Sequence, residues 1–350
     1  MARPNRSDQI DRALLSQVQS HPRDLVRVVA DALGLSRAAV ATRTRALIHG
    51  GYLAKSGTTR PSYQPGPNRR AVFRYALAGL QEDRVWFQDV APLLAGLPPN
   101  VFDICQHGVT EMVNNAIDHS EGARLEVDVG RHHGRVFFTI TDDGVGIFRK
   151  ISRALDLPDE RLALLELSKG KLTTDPKRHP GDGVFFTSRM VDHFAIQSGE
   201  LSFDHDDANA GDVLFEHDTI AATAGTTVRM DIAEVSERTA RQVFDAFSSG
   251  PDDYSFAKTI VPVRLAKVGT GNLISRSQAK RLLVRVERFR CVILDFEGIA
   301  AVGQAFADEI FRVFATAHPE VELVAIHAVP EVQQMIRRAE VLRDEGAASG

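Results

Sequence analysis

Little in this sequence speaks for a stapled scaffold. Of 350 residues only two are cysteine, Cys105 and Cys291. Both lie in apolar stretches without metal-ligand spacing, which argues against a disulfide framework or a zinc site. No run approaches the roughly 20 apolar residues that span a bilayer, and the opening MARPNRSDQIDR lacks the apolar centre of a signal peptide. A reducing cytoplasm and no membrane association are therefore expected. No Gly-x-x-x-x-Gly-Lys-Ser/Thr loop occurs, so phosphate binding of the P-loop kind is absent. Acids are scarce in one region. Residues 1–80 hold four aspartates against thirteen Lys/Arg, a net of +9, which leaves −13 on the remainder of a chain of net −4. A basic module on an acidic body is the footprint of a polyanion reader.

What is present is ordinary in amount and particular in arrangement. A hydrophobic share of 43% and a charged share of 25% fit a globular protein, and 350 residues imply two or three domains at about 150 residues each. Residues 8–20 and 24–33 read as short helices. A third opens at Ser36, a good N-cap, and stops at Gly50-Gly51. A Gly/Pro-rich turn over 56–67 and a strand-like VFRYAL at 72–77 then read as a hairpin. DLVRVVADALGLSRAAVATRTRALIHGGYL resembles the winged helix-turn-helix domains of bacterial transcription regulators. At 100° per residue Arg37, Ala38, Ala41, Thr42 and Arg45 share one face of the third helix, with Val40 and Leu47 opposite. Arg37, Thr42 and Arg45 are the candidates for a DNA groove, and Arg60, Arg69 and Arg70 for the backbone beside the wing. A winged helix used only for docking or dimerisation is the alternative.

Four blocks follow in order: EMVNNAIDHS (111–120) on a helix beginning near Pro99, TITDDGVGI (139–147) at a strand end, PGDGVFFTSRMVDHF (180–194) opening a helix, and AGTTVRMDI (224–232) entering a strand. Glu111, Asn115 and His119 stand four apart and share a helix face. Glycines ahead of a helix leave backbone N–H groups free for phosphate. With strands at 123–130 and 135–141 between the first two blocks, the set resembles the GHKL ATP-binding (Bergerat) fold of gyrase, Hsp90, histidine kinases, MutL and the anti-sigma-factor kinases. The resemblance covers roughly residues 85–235. It implies ATP and Mg²⁺ as ligands, with Asn115 as magnesium ligand and Glu111 as general base. It makes Asp142 the acceptor for the adenine amino group, with Thr226 beside it. Gly144 and Gly146 would pass close under the base, and Gly181 and Gly183 would shape the phosphate end. The loop 150–180 becomes an ATP lid whose Lys169, Lys171, Lys177 or Arg178 meets the γ-phosphate. His107 sits in the same helix as Glu111, so no separate phosphoacceptor hairpin exists and a conventional histidine kinase is disfavoured.

From residue 255 strands and helices alternate, with helices at 275–289, 303–319 and 331–342 and buried strands at 290–298 and 321–329. ILDFEGIAAVGQAFADEIF resembles the STAS-like domains of anti-anti-sigma factors and sulfate-transporter tails. Val302-Gly303-Gln304-Ala305-Phe306 stands where that family carries a phosphorylated serine, and has no hydroxyl. The expected architecture is multidomain α+β and α/β: a winged helix over 1–80, a GHKL α/β sandwich over 81–235, a helical linker over 236–252 and a small STAS-like α/β domain over 253–345. Together they imply a homodimeric, ATP-binding and ATP-hydrolysing DNA-binding regulator, serving transcription control or DNA-sensing defence, with a protein partner at the STAS-like domain. The alternative is an anti-sigma-type serine/threonine kinase with a fused docking domain. A third reading is an adaptor whose ATP site has decayed, which Glu111 and Asn115 oppose.

Overall fold

The computed structural model describes residues 6–18, 20–172, 181–206, 211–216, 223–250, 253–267 and 273–348. Three helices come first: α1 (Arg6–Gln17), α2 (Leu25–Leu33) and α3 (Arg37–His49). Gly34, at φ 63°, closes α2 in the left-handed conformation that glycine adopts without steric cost, and Ser36 Oγ accepts from the Ala39 N–H at 3.3 Å to start α3. Leu14, Val18, Leu25, Val29, Val40 and Leu47 close a small core of their own. The hairpin β1 (Leu53–Ser56) and β2 (Ser62–Pro65) forms the wing.

The wing ends earlier than the sequence reading places it. β3 (Arg69–Ala76) does not return to the helices. It pairs antiparallel with β4 (Arg124–His132), from Arg69 opposite Arg131 to Ala76 opposite Arg124. The physical reason is burial: Phe73 and Tyr75 pack on the large core of the next domain, and Tyr75 Oη donates to Asp89 at 2.7 Å. Residues 1–68 therefore carry ten Lys/Arg against four aspartates, and the basic excess is +6 rather than +9.

After α4 (Glu82–Arg84) and turns that bury Trp86, α5 (Pro99–His119) crosses a seven-stranded sheet. The sheet comprises β3, β4, β5 (Arg135–Asp142), β6 (His193–Gly199), β7 (Leu201–Asp206), β8 (Gly211–Glu216) and β9 (Thr223–Ala233), in the order β3-β4-β5-β9-β6-β7-β8 with every neighbour antiparallel. The stretch read as a lid loop holds α6 (Ile147–Ala154) and α7 (Leu162–Lys169), and α8 (Gly183–Met190) follows it. Residues 173–180, with Lys177 and Arg178, lie outside the described residues. Helix α5 packs tightly: a Cβ on Gly108 would stand 3.2 Å from the Thr187 side chain and 3.3 Å from Met230 Sδ.

The segment read as a linker forms α9 (Ala240–Phe247), begun by a Thr239–Gln242 capping box. It is packed rather than free, with Val243 buried and Phe244 and Phe247 against Phe186 and Phe185. A hairpin, β10 (Ser248–Gly250) and β11 (Asp253–Phe256), leads into the parallel sheet β12 (Lys258–Pro262), β13 (Cys291–Asp295) and β14 (Glu322–Ile326). Around it lie α10 (Arg276–Leu283), α11 (Gln304–Asp308) running on through wider turns to α12 (Ala315–Ala317), and α13 (Pro330–Ala348). The helix read over 275–289 stops at Leu283, because Arg285 turns back at φ +65°. One continuous apolar core joins this sheet to the seven-stranded one, from Trp86 to Val332. Among the described residues no helix is long and apolar enough to cross a membrane.

The strand assignment predicts how truncations behave. Deleting residues 1–66 should leave the rest of the chain at its original melting temperature. Deleting 1–80 removes β3 and two half-buried aromatic rings, worth together about 2 kcal/mol or more, and should lower the midpoint by roughly 5 °C or more in a thermal scan. Equal midpoints for the two truncations would contradict the pairing.

Candidate functional site

The four sequence blocks converge. Glu111, Asn115, Asp142, Gly181, Gly183 and Thr226 all line one cavity. Its walls divide by chemistry. The sheet side and α6 contribute Ile140, Ile196, Val228, Ile147 and Ile151 with Asp142 and Thr226, whereas α5 contributes Glu111 and Asn115 and the start of α8 contributes Gly181, Asp182 and Gly183. An apolar slot holding one carboxylate suits a flat base with an amino group. Helix-start N–H groups beside an amide oxygen suit phosphate and a hard cation.

Asp142 closes β5 and is 7% exposed. Its Oδ1 accepts from Gly144 N at 2.8 Å and Thr226 N at 3.3 Å, and no described residue donates to Oδ2. Burial raises its carboxyl above the ordinary range, against the lowering pull of those two N–H groups. Thr226 Oγ1 accepts from Ile147 N at 3.0 Å, tying β9 to the start of α6. Gly225, not singled out in the sequence, takes φ +88°, and a Cβ there would lie 2.1 Å from the Asp142 carbonyl oxygen. Its signal was its place just before Thr226 in the fourth block.

Gly144 and Gly146 are not among the residues that line the cavity. A Cβ on Gly144 would lie 2.0 Å from Ser120 O and one on Gly146 2.5 Å from Ser198 Oγ, so the approach of protein alone already requires glycine at both. Gly183 differs: a Cβ would stand 2.0 Å from Glu111 Oε2. The carboxylate of α5 is thereby set against the first residue of α8. Glu111 and Asn115, one helical turn apart, both face that end. A magnesium nucleotide fits this set, since Asn115 offers a neutral oxygen and Asp142 Oδ2 has no described donor.

Of the basic residues expected at the γ-phosphate, Lys177 and Arg178 lie outside the described residues and the two lysines that are described are placed otherwise. Lys169 is fully buried against Glu166, with Nζ–Oε1 2.6 Å, and donates to Val284 O at 2.9 Å. Lys171 Nζ donates to Arg288 O at 2.7 Å. Both are spent on the C-terminal domain. Among the described residues the lysine on the cavity wall is Lys150, which donates to His119 O at 2.7 Å and pairs with Glu121 at 3.0 Å. Sequence reading missed it, though it sits on the exposed-to-buried seam of the amphipathic α6.

On α3, Arg37, Ala38, Thr42 and Arg45 are exposed and Val40, Thr44 and Leu47 buried, as the helical spacing requires, while Ala41 is half-buried. Arg43 is held by Asp11 of α1, with Nε donating to Oδ1 at 2.9 Å. Arg45 donates to Thr42 Oγ1 at 3.2 Å. Arg60 is exposed. Arg69 and Arg70 are not on the wing: Arg69 donates to Leu93 O at 2.9 Å, and Arg70 pairs with Asp128 of β4 at 2.6 Å.

Three stretches match known families. Residues 7–53 match a winged helix-turn-helix DNA-binding family, residues 73–202 a histidine kinase-like ATPase domain, and residues 278–333 a STAS-like domain of unknown function. The chain therefore carries a winged helix-turn-helix domain, a GHKL-like ATPase domain and a STAS-like domain, in that order. No curated protein matches the chain.

One buried group beside the site gives an acid-stability prediction. His107, one turn before Glu111, stands edge-on to Phe244 at 5.6 Å, and its Nε2 has no hydrogen-bond partner among the described residues. Burial pushes its pKa down from 6.5 to about 4. Because the folded value lies below the unfolded one, the neutral ring is no handicap above pH 6.5, and stability is lost as pH falls from there through about 4. The loss should total roughly 3 kcal/mol. Urea titrations from pH 7 to pH 4 should show this component in the wild type and its absence in His107→Leu.

Proposed function

We propose that the chain is an ATP-binding, ATP-hydrolysing regulator of DNA occupancy that works as a homodimer. The observation that carries this reading is the convergence of four separated blocks on one cavity, in a chain whose first 68 residues have an excess of six positive charges. Asp142 accepts from the adenine amino group through Oδ2, and Thr226 holds its other oxygen in place. Asn115 is the protein ligand of Mg²⁺, which when bound neutralises phosphate charge. Glu111 takes the proton of the attacking water, whose oxygen bonds to the γ-phosphorus as the bond to the β-phosphate oxygen breaks. The N–H groups at Gly181 and Gly183 orient the phosphates. The STAS-like domain serves as the docking face for a protein partner.

Calorimetry with Mg-ATP should detect binding to the wild type and none to Asp142→Asn or Asn115→Ala. Glu111→Ala should still bind and turn over at least about 10²-fold more slowly. Binding by Asp142 needs the ionised acceptor. Its raised pKa means that affinity falls on acidification before an ordinary carboxylate would protonate. Phosphate labelled in the γ position should appear free, since Ala305 occupies the position where a STAS serine would accept it. Stoichiometric phosphoserine or phosphothreonine dependent on Glu111 would establish the kinase instead.

For DNA, the exposed cations of α3 and the wing are Arg37, Arg45, Lys55 and Arg60. Neutralising one phosphate each gives a log-affinity against log-salt slope of roughly −3 to −4. Arg37→Ala and Arg45→Ala should cost about 1–3 kcal/mol each on a preferred sequence if they reach guanine edges. Arg69→Ala and Arg70→Ala, whose guanidiniums are held within the ATPase domain, should leave DNA affinity unchanged. Fluorescence anisotropy of labelled duplex reads all four variants.

A further inference from the structure

Helix α7 is buried on every side: all eight residues from Leu162 to Lys169 are out of solvent. A helix covered all round is enclosed between two bodies. Here one is the cavity, whose wall includes Leu167 and, three residues past the helix, Leu172. The other is the STAS-like domain. Glu166 accepts from Lys169 Nζ at 2.6 Å and from Arg285 Nη1 at 3.0 Å. Lys169 Nζ also donates to Val284 O, and Lys169 O accepts from Thr259 Oγ1 of β12 at 2.7 Å. Arg285 Nη2 reaches the Gly170 carbonyl at 3.3 Å and the Lys171 carbonyl besides. Lys171 Nζ lies over the Phe289 ring, 4.6 Å from its centroid.

The contacts run on into the cavity without a gap. A Cβ on Gly170 would stand 2.6 Å from the Phe256 ring and 3.1 Å from that of Phe185, and Phe185 lines the cavity. Leu172 N donates to Gly181 O at 2.8 Å, joining this segment to the glycines proposed to hold phosphate. Where the backbones meet, Lys171 and Arg285 both sit in the left-handed region, at φ 50° and 65°, a conformation that non-glycine residues hold only when their surroundings impose it. Buried ionic groups of this kind add little net stability, because desolvation offsets their mutual attraction.

We propose that Glu166, Lys169 and Arg285 are positioning residues of the nucleotide site, through which the STAS-like domain sets the cavity wall formed by Leu167, Leu172 and Gly181. Nucleotide binding and the seating of the STAS-like domain are then reciprocally coupled, so a partner that pulls on the 281–289 segment changes nucleotide affinity and nucleotide changes partner affinity by the same factor. The inference rests on the nucleotide reading of the cavity, and its test separates the two.

Mg-ADP is titrated calorimetrically into the full chain and into Thr259→Val, Lys171→Ala and Arg285→Lys. Thr259→Val and Arg285→Lys are conservative and Lys171 is only partly buried, so no fully buried charge is deleted, and a thermal scan of each nucleotide-free variant verifies the fold. Affinity should fall at least about 5-fold in Lys171→Ala and Arg285→Lys, the lower edge of ordinary coupling, and less in Thr259→Val. Reciprocally, saturating Mg-ADP should slow amide hydrogen exchange over 256–262 and 281–289 in the wild type and not in Asp142→Asn. Unchanged affinities in folded variants overturn the coupling, as does weakened affinity with no exchange response in the STAS-like domain, which marks a local distortion. A wild type that binds no Mg-ADP overturns the nucleotide reading and the coupling with it.

Discussion

A buried carboxylate held by backbone is the constraint around which the central domain is arranged. Asp142 is kept at the end of β5 by N–H groups from Gly144 and Thr226, and that arrangement needs three strands of chain to pass almost in contact. Glycine at 144, 146 and 225 is the consequence, because a single methyl at any of them would overlap Ser120, Ser198 or Asp142 itself. A carboxyl taken out of water tends to be protonated; two aimed backbone donors counter that tendency without filling its second oxygen. The site is in this sense ready for a hydrogen-bond donor at Oδ2.

The opposite end of the cavity works on a different principle. Glu111 and the first residue of α8 are pressed together closely enough that a side chain at 183 would displace the carboxylate. A carboxylate at a helix start is electrostatically comfortable, and anionic phosphate would share the same N–H groups. The central domain thereby separates a base-like slot from a charged end along one cavity, with α5 supplying Glu111 and Asn115 to the charged end.

Beyond the cavity the three domains are joined unequally. The winged helix keeps its own core and is followed by a strand that belongs to its neighbour. The ATPase and STAS-like domains share a continuous core, reinforced by an aromatic cluster in which Phe185 meets Phe256 at 4.5 Å and Phe256 meets Phe289 at 5.2 Å. Mechanical continuity therefore favours this pair over the winged helix, which is followed by the strand β3 paired with β4 of the ATPase domain.

Local chemistry in the sequence was enough for several features. Helical spacing alone put Arg37, Thr42 and Arg45 outside and Val40 and Leu47 inside, since a 3.6-residue period needs no partner to define its faces. The glycine blocks announced tight turns, and the Glu111–Asn115 spacing put both on one face of α5. What only the tertiary structure decided is where shared surfaces lie. Nothing in VFRYAL says whether its alternation pairs with a wing or with β4, because a strand's pattern is indifferent to the identity of its neighbour. Lys169 and Lys171 read as phosphate ligands in a basic run, yet Glu166 and the carbonyls of Val284 and Arg288 claim them, and those partners lie more than a hundred residues away apart from Glu166. A charge advertises what it can bind; which partner reaches it first is settled by packing between domains.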